Sequence, residues 1–223
     1  MSALRALPSS TPGFDPLAPV STTELLHHRG IWRARDGARR TLPAQPTGHA
    51  ALDACLPGNG WPMGLLTEVL LPQLGYGEIG LLLPLLAQRT RDGHTLVYVR
   101  PPCPPEITAL ARAGIALERL LLIAAANERE ALWAAEQVLA SGTPCVVLAW
   151  AQHADERAMR RLALAVEGST SLAVVFRPLA DERQVSSAVL RVRIDGALAR
   201  TPLSLLKARG LACSSADPIR VRL

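Results

Sequence analysis

Short apolar runs alternate with longer segments of helical periodicity along most of the chain. Runs that are apolar throughout are typical of strands buried on both faces of a sheet, and the helical segments between them are typical of crossover helices. The predicted strands are residues 65–71, 95–100, 119–125, 145–150, 171–177, 188–194 and 203–207.

Four helices are predicted between these strands, at residues 78–90, 104–113, 128–140 and 155–167. The third is the clearest, because Asn127 can cap its first turn and Glu130 stands at the capping-box position. Four strand–helix units followed by strands without helices between them predict an α/β fold. We expect a mostly parallel sheet flanked by helices, with antiparallel strands at its C-terminal edge.

The chain divides into four segments by composition. Residues 1–20 are rich in Pro, Ser and Thr, which predicts a disordered arm. Residues 21–46 predict a short helix, Ser21 to Arg35, and a linker, because Ser21 and Glu24 have capping-box spacing. The core is expected over residues 47–210, and residues 211–223 are expected to form a C-terminal tail.

Composition excludes several classes of protein. The chain is 49% hydrophobic, which is enough for a substantial core, and its longest apolar run, residues 79–87, is too short to span a membrane. No secretory signal is recognisable, so we expect a cytoplasmic protein.

The four cysteines are widely spaced and form no C-x-x-C motif, which favours reduced thiols and no metal site. The net charge of +5 permits an acidic or nucleic-acid partner.

The segment from residue 47 to residue 79 has the order of a phosphate-binding loop: a Gly/Pro-rich approach, a strand, a glycine-containing loop and a helix. It resembles the start of the RecA/RadA recombinase core, so the predicted fold is RecA-like; another doubly wound fold is the alternative. The matching residues are Thr47, Gly48, Leu52, Asp53, Gly58, Gly60, Pro62 and Gly64.

The loop itself departs from the G-x-x-x-x-G-K-[ST] pattern that holds phosphates. Its residues include Pro72, Gly75 and Gly77, and then Glu78 stands at the lysine position and Ile79 at the hydroxyl position. At about 4 Å and an effective dielectric constant near 20, an attraction of about 4 kcal/mol becomes a similar repulsion. The only lysine of the chain, Lys207, lies far downstream, so we expect a degenerate nucleotide site.

Two further positions lack the acids of an ATPase. Trp150 occupies the end of the strand where a Walker B aspartate is expected, and Pro101 and Pro102 follow the strand that precedes a catalytic glutamate in recombinases. His153 lies beside Asp155, but neighbouring residues at a helix start do not converge on one metal ion. We expect no catalytic residue, no cofactor and no metal, and therefore no enzyme.

Arginine supplies the remaining candidate contacts. Arg191 and Arg193 alternate along one strand, so both side chains point to the same face. Together with Lys207 and Arg209 they are a candidate contact surface for a partner or DNA; a merely solvated surface is the alternative.

The whole pattern resembles the ImuA family of translesion-synthesis-associated proteins, which are SulA-like relatives of RecA. The residues that carry the resemblance are 32–33, 56–62, 66–68, 70–72, 101–102, 131–137, 148–150, 176–178 and 205–210. The resemblance implies a non-catalytic adaptor of SOS-induced translesion DNA synthesis. It implies ImuB, RecA and an error-prone polymerase of the DnaE2 type as partners, with any DNA contact indirect.

A second interpretation remains open, namely a SulA-like inhibitor of cell division that binds FtsZ. Residues 81–86 and 176–178 fit that relative as well. Against it, SulA-type chains lack the approach at Thr47 and Gly48 and end soon after the strand at 171–177, whereas this chain continues.

Overall fold

The structure is a computed structural model, and it describes residues 43–74, 77–195, 201–208 and 219–221. The arm expected at residues 1–20, the helix expected at Ser21 to Arg35 and most of the C-terminal tail lie outside the described residues. The described residues all belong to one unit of the chain, Arg39–Leu223.

Eight strands form one sheet in the spatial order β10-β9-β8-β3-β7-β6-β4-β5. The six strands from β8 to β5 are parallel to their neighbours, and β9 and β10 pair antiparallel at the other edge. These strands are β3 Leu66–Leu71, β4 Thr95–Val99, β5 Leu120–Ile123, β6 Cys145–Trp150, β7 Leu172–Pro178, β8 Leu190–Ile194, β9 Thr201–Ala208 and β10 Ile219–Val221. A separate antiparallel pair joins β1 Ala44–Gln45 to β2 Trp61–Pro62. The predicted fold class is therefore confirmed.

Within the described residues, five α-helices accompany the strands: α1 Ala50–Asp53, α2 Leu83–Arg91, α3 Ile107–Arg112, α4 Glu128–Ala140 and α5 Glu156–Val166. Short 3-10 helices lie at Pro57–Asn59, Glu78–Leu81, Leu117–Arg119 and Leu179–Arg183. The described helices are all too short or too polar to span a lipid bilayer.

The sheet separates two apolar layers, and alternate residues of a strand enter opposite layers. In β6, Val146 and Leu148 join the layer that contains α1 and α2, while Val147 and Ala149 join the layer beneath α4 and α5. The second layer is rich in alanine, because two helices pack closely on that face. Both layers together explain why the central strands β3, β6 and β7 are buried at nearly every position and are largely apolar.

Helix boundaries differ from the predicted ones where proline intervenes. The helix predicted at 78–90 is a 3-10 turn followed by α2, because Pro84 lacks an N–H and its ring clashes with the carbonyl four residues earlier in a continuous helix. The helix predicted at 104–113 begins at Ile107, where Glu106 accepts a hydrogen bond from the Thr108 N–H. Helix α4 has the predicted bounds, and Asn127 caps the Glu130 N–H as expected.

Strand β10 lies within residues 211–223, which the sequence analysis assigned to a tail. Only three residues long, it pairs Ile219 with Leu203 of β9, and Ile219 is buried against the apolar layer. The core therefore includes a part of the segment that was expected to lie outside it.

Glycine is required where the approach to β3 meets the turn before β7. Gly64 has a φ of +67°, and a Cβ added there would lie 2.3 Å from the Ser169 carbonyl oxygen. The Gly64 N–H also donates to the Ser171 carbonyl at 2.8 Å. The backbone contact leaves no room for any side chain.

We predict that Gly64→Ala destabilises the protein by about 3 kcal/mol or more, since it combines left-handed strain with a steric clash against backbone. Gly142→Ala is the matched control, because Gly142 has a φ of +73° and open space around its Cβ position. Its cost should be only about 1–2 kcal/mol. Urea denaturation of both variants measures the difference, and equal costs would contradict the close approach.

Candidate functional site

The loop that the sequence analysis interprets as a degenerate phosphate loop lies at the carboxyl end of β3, the edge at which α/β sheets bind ligands. Leu71 ends the strand, Pro72 is exposed, and Gly77, with a φ of +93°, leads into the 3-10 turn Glu78–Leu81. Gly75 lies outside the described residues. The loop is therefore placed where the sequence predicted it, next to the carboxyl ends of β4 and β6.

Glu78 and Trp150 contact each other directly. The Glu78 side chain is only 3% exposed, and its Oε1 accepts a hydrogen bond of 2.6 Å from the Trp150 indole Nε1–H. These are the two positions where a working site is expected to hold its lysine and its Walker B aspartate. A carboxylate and an indole fill that space here, and together they satisfy each other's hydrogen bonding.

Trp150 is also the centre of an aromatic row on three neighbouring strands. Its ring centroid lies 5.4 Å from that of Tyr98 on β4 in an edge-on arrangement and 5.0 Å from that of Phe176 on β7. All three side chains are buried. Such contacts add to burial by about 0.5–1.5 kcal/mol each. The indole is thus held from both sides and cannot move aside easily to admit a phosphate group.

A pocket of about 300 Å³ adjoins this pair. Its walls are the 3-10 turn with Glu78, the proline-rich loop that begins at Pro101, the start of α3, and the rings of Tyr98 and Trp150. Its lining is mainly apolar, and the described residues that form it include two carboxylates, Glu78 and Glu106, and no Lys or Arg. A polyphosphate would meet anions and no cation there, so the pocket suits neutral apolar groups.

The Tyr98 hydroxyl is buried at this pocket. It has no hydrogen-bond partner within the described part of the chain. Burial, reinforced by the nearby charge of Glu78, raises the pKa of Tyr98 above its ordinary value of 10. The phenol therefore stays neutral throughout the physiological range.

A second buried cluster, absent from the sequence prediction, lies on the other face of β3. Glu68 has no exposed surface, and its two carboxylate oxygens accept hydrogen bonds from Arg177 Nη1 at 2.9 Å and Arg191 Nε at 2.6 Å. Arg177 also reaches Asp181 at 2.9 Å. Arg191 Nη1 and Nη2 bond the carbonyl oxygens of Glu182 and Asp181. The only signal in the sequence was a glutamate within an apolar strand.

This cluster corrects the expected contact surface. Arg191 is 8% exposed and forms an ion pair with Glu68. It is therefore a buried residue and not a surface contact. Arg193 is partly exposed and pairs with Glu182 and Asp195. Lys207 Nζ donates to the Ser186 carbonyl at 2.7 Å, and Arg209 lies outside the described residues. The structure does not join these residues into one exposed basic patch.

The remaining candidates for chemistry are dispersed. Cys55, Cys103 and Cys145 are free thiols, and burial raises the pKa of Cys145. Within the described ranges no group of His, Cys, Asp and Glu side chains has the arrangement of a metal site. Asp155 caps α5 through the Ala158 N–H, as its position at a helix start suggested.

Comparison with known proteins agrees with this geometry. The family model "Cell division inhibitor SulA" matches residues 64–172. Protein ImuA of Caulobacter vibrioides is 30% identical over 145 residues, which are 63% of this chain and 59% of that protein. The chain is thus similar to both ImuA and SulA. The resemblance to the ImuA family that the sequence predicted is confirmed.

Other proteins similar to this chain include a RecA protein and a SulA protein of known structure. Protein RecA of Desulfovibrio desulfuricans is 27% identical over 130 residues, 58% of this chain and 36% of that protein. The crystal structure of SulA from Pseudomonas aeruginosa matches with 25% identity and a TM-score of 0.43, covering 50% of this chain and 97% of that one. The chain spans about three fifths of the length of the ImuA protein that it matches.

We predict that Glu78 and Trp150 are energetically coupled in this ImuA-like chain. A double-mutant cycle of Glu78→Gln, Trp150→Phe and the double variant should give a coupling energy of about 1.5–3 kcal/mol, because the hydrogen bond is buried and charged. Chemical denaturation of the four proteins measures it. If the changes in the free energy of unfolding of the two single variants add up to that of the double variant, the contact is contradicted.

A second prediction concerns Glu68. Glu68→Gln should destabilise the protein by about 3–5 kcal/mol, since it removes the buried anion that Arg177 and Arg191 share and leaves Arg177 with Asp181 alone. Glu136→Gln is the control, because Glu136 pairs with Arg161 at the surface and its loss should cost less than about 1 kcal/mol. The free energy of unfolding of each variant gives the comparison, and similar costs would show that the cluster is not a buried charge network.

A third prediction follows from the raised pKa of Tyr98. Unfolded tyrosine loses its proton near pH 10 whereas folded Tyr98 keeps it, so the unfolded state binds fewer protons and stability should fall as pH rises above 10. Absorbance titration of a Tyr76→Phe variant should show no phenolate near pH 10 while the protein stays folded. A phenolate that forms near pH 10 in the folded protein would contradict the burial of this ring.

Proposed function

We propose that this chain is a non-catalytic accessory protein of SOS-induced translesion DNA synthesis, acting by contacts with other proteins on a RecA-like scaffold. It resides in the cytoplasm, binds no nucleotide productively and turns over no substrate. Its partners in this proposal are ImuB, RecA and an error-prone polymerase of the DnaE2 type, and its contact with DNA is indirect.

The observation that carries the proposal is the hydrogen bond between Glu78 and Trp150. It supports the absence of nucleotide chemistry, because in the sequence alignment a carboxylate replaces the lysine that would hold the phosphates and an indole replaces the metal-binding aspartate. The pocket beside it contains no cation. A scaffold that has kept the sheet of an ATPase and replaced both key groups is better suited to protein contacts than to hydrolysis.

The choice of partners rests on similarity. The match to ImuA extends over 145 residues, 63% of this chain, at 30% identity. The additional match to RecA supports contact with a recombinase, since a chain of the same shape can occupy a position like that of a protomer. This last step is an argument from fold, and it therefore needs a binding measurement.

A second candidate is a cell-division inhibitor that binds FtsZ. It is favoured by one observation, namely that the SulA family model covers residues 64–172, from the glycine before β3 to the first residue of β7. The chain continues beyond that match through the rest of β7 and through β8, which carry the two arginine partners of Glu68, and then through β9 and β10. We place this candidate second for that reason.

One experiment separates these functions. Calorimetric titration with Mg-ATP should give a dissociation constant of about 1 mM or weaker, since a micromolar site with Glu78 in place of lysine loses roughly half of its binding energy. RecA under the same conditions is the positive control. Micromolar binding of ATP would contradict the proposal.

The same preparation is then immobilised and offered purified RecA, ImuB and FtsZ, with serum albumin as the negative control. Capture of RecA or ImuB is the expected result. Capture of FtsZ alone would replace the proposal by the division inhibitor. If the protein captures neither RecA nor ImuB nor FtsZ, both candidate functions are wrong.

A further inference from the structure

Helix α4 presents a tryptophan to solvent. Trp133 is 57% exposed, although it lies in the middle of a helix whose other face is buried through Ala131, Ala135 and Leu139. A large aromatic side chain in this position contributes little to the fold and leaves much apolar surface in contact with water. Such residues are enriched at the centres of protein interfaces.

Trp133 lies between two hollows formed by α4 and α5. One, of about 260 Å³, is lined by Leu132, His153 and Ala158 among others, and the second lies on the side of Glu130. Both are bounded by Trp133, Arg129 and Arg161. On the neighbouring helix, Leu164 is 60% exposed. The two helices thus offer an aromatic ridge, an apolar side chain and two arginines on one surface, which we call the α4–α5 surface.

The carboxylates of this surface are already engaged within the chain. Glu128 accepts hydrogen bonds of 2.8 Å from the N–H groups of Gln152 and His153. Glu130 accepts from the Ala126 N–H, and Asp155 accepts from the Ala158 N–H. Glu136 forms an ion pair with Arg161. Each anion therefore has a structural partner.

The cations have fewer partners. Arg129, Arg157 and Arg160 are exposed, and within the described residues none of them forms an ion pair. Arg157, Arg161 and Leu164 share one face of α5 by their helical spacing, and Arg129 and Trp133 share one face of α4. The charge that this surface can still offer to a partner is positive, and Arg129 lies one helical turn from the exposed aromatic ring.

We infer that the α4–α5 surface binds an acidic protein segment that carries an apolar side chain. The apolar side chain packs against Trp133, and the carboxylates pair with Arg129, Arg157 and Arg160. Arginine and tryptophan are the residues that contribute most at such contacts. The inference rests on the proposed function and names the surface by which the chain engages a partner.

A protein partner fits better than a nucleic acid. Four carboxylates line the same hollows, so the field over the whole surface is not strongly positive even though each carboxylate is locally engaged. A polyanion experiences that summed field, whereas a short segment with a few carboxylates can meet the arginines individually. This difference makes single-stranded DNA an alternative for the experiment to exclude.

The test begins with random peptides displayed on phage and selected on the full chain. We expect enrichment of sequences that combine Asp or Glu with Leu, Phe or Trp. A selected peptide, labelled with fluorescein, should bind Trp133→Ala at least about tenfold more weakly than the wild type. The paired charge reversal Arg157→Glu/Arg160→Glu should weaken it by about tenfold as well.

Val185→Ala is the matched control, because Val185 is 69% exposed, lies in the loop before β8 and lines neither of the two hollows. It should bind the peptide like the wild type. Equal unfolding midpoints in urea show that every variant folds. Selection of peptides without acidic residues, or equal binding by Trp133→Ala, would overturn the inference. The inference is also wrong if no acidic peptide is enriched and oligo-dT binds to the wild type but not to Trp133→Ala.

The variants are also offered the partner that the wild type captures. If Trp133→Ala captures ImuB or RecA as well as the wild type does, this inference is wrong. The proposed function is not affected by that result. Failure of the wild type to capture any partner overturns the proposed function, whatever peptides the surface selects.

Discussion

Glu68 lies in the middle of β3 without exposed surface, and arginines from the strands on both sides donate to its two oxygens. A buried carboxylate is tolerated only with such partners, so β7 and β8 must flank β3 in the register that brings both guanidinium groups to it. In that register Glu68 is paired with Arg191, and Leu70 with Arg177. A shift by one residue would turn the arginines into the apolar layer on the opposite face.

The position of β3 in turn determines what lies at its carboxyl end. The strand leads directly into the loop and turn that carry Glu78, while β6, separated from β3 only by β7, ends at Trp150. Two departures from the phosphate-loop pattern that are far apart in sequence are therefore one contact in space. Glu78 and Trp150 are complementary, because a buried indole N–H needs a hydrogen-bond acceptor and a buried carboxylate needs a donor.

The strands were predictable from the sequence because an apolar run bounded by turn residues determines a buried strand almost alone. β6 has the predicted bounds, and β3 and β4 differ from the prediction by a single residue. Proline shortened two helices, and β10 escaped prediction because three residues carry too little pattern. Alternation correctly placed Arg191 and Arg193 on one face but could not reveal burial, since the anion that holds Arg191 lies 123 residues earlier.

The sequence predicted the candidate site only through the residues of a working nucleotide site that are missing from it. Glu78 and Trp150 were identified as departures, but their hydrogen bond is a tertiary contact that no local pattern encodes. Trp133 was assigned to the clearest helix without a role, because exposure depends on which face α5 covers. Long-range pairing and the choice of covered face are properties of the assembled sheet and not of any segment.

The hydrogen bond of Glu78 with Trp150 has a consequence for control. RecA-like domains that bind ATP change their contacts with the γ-phosphate, so their partners respond to the ratio of ATP to ADP. In the proposed function, where the hydrogen bond of Glu78 with Trp150 replaces nucleotide contacts, the protein keeps one conformation whatever the ratio of ATP to ADP in the cell. The fraction of partner bound is then set by mass action, that is, by how much of the protein has been synthesised.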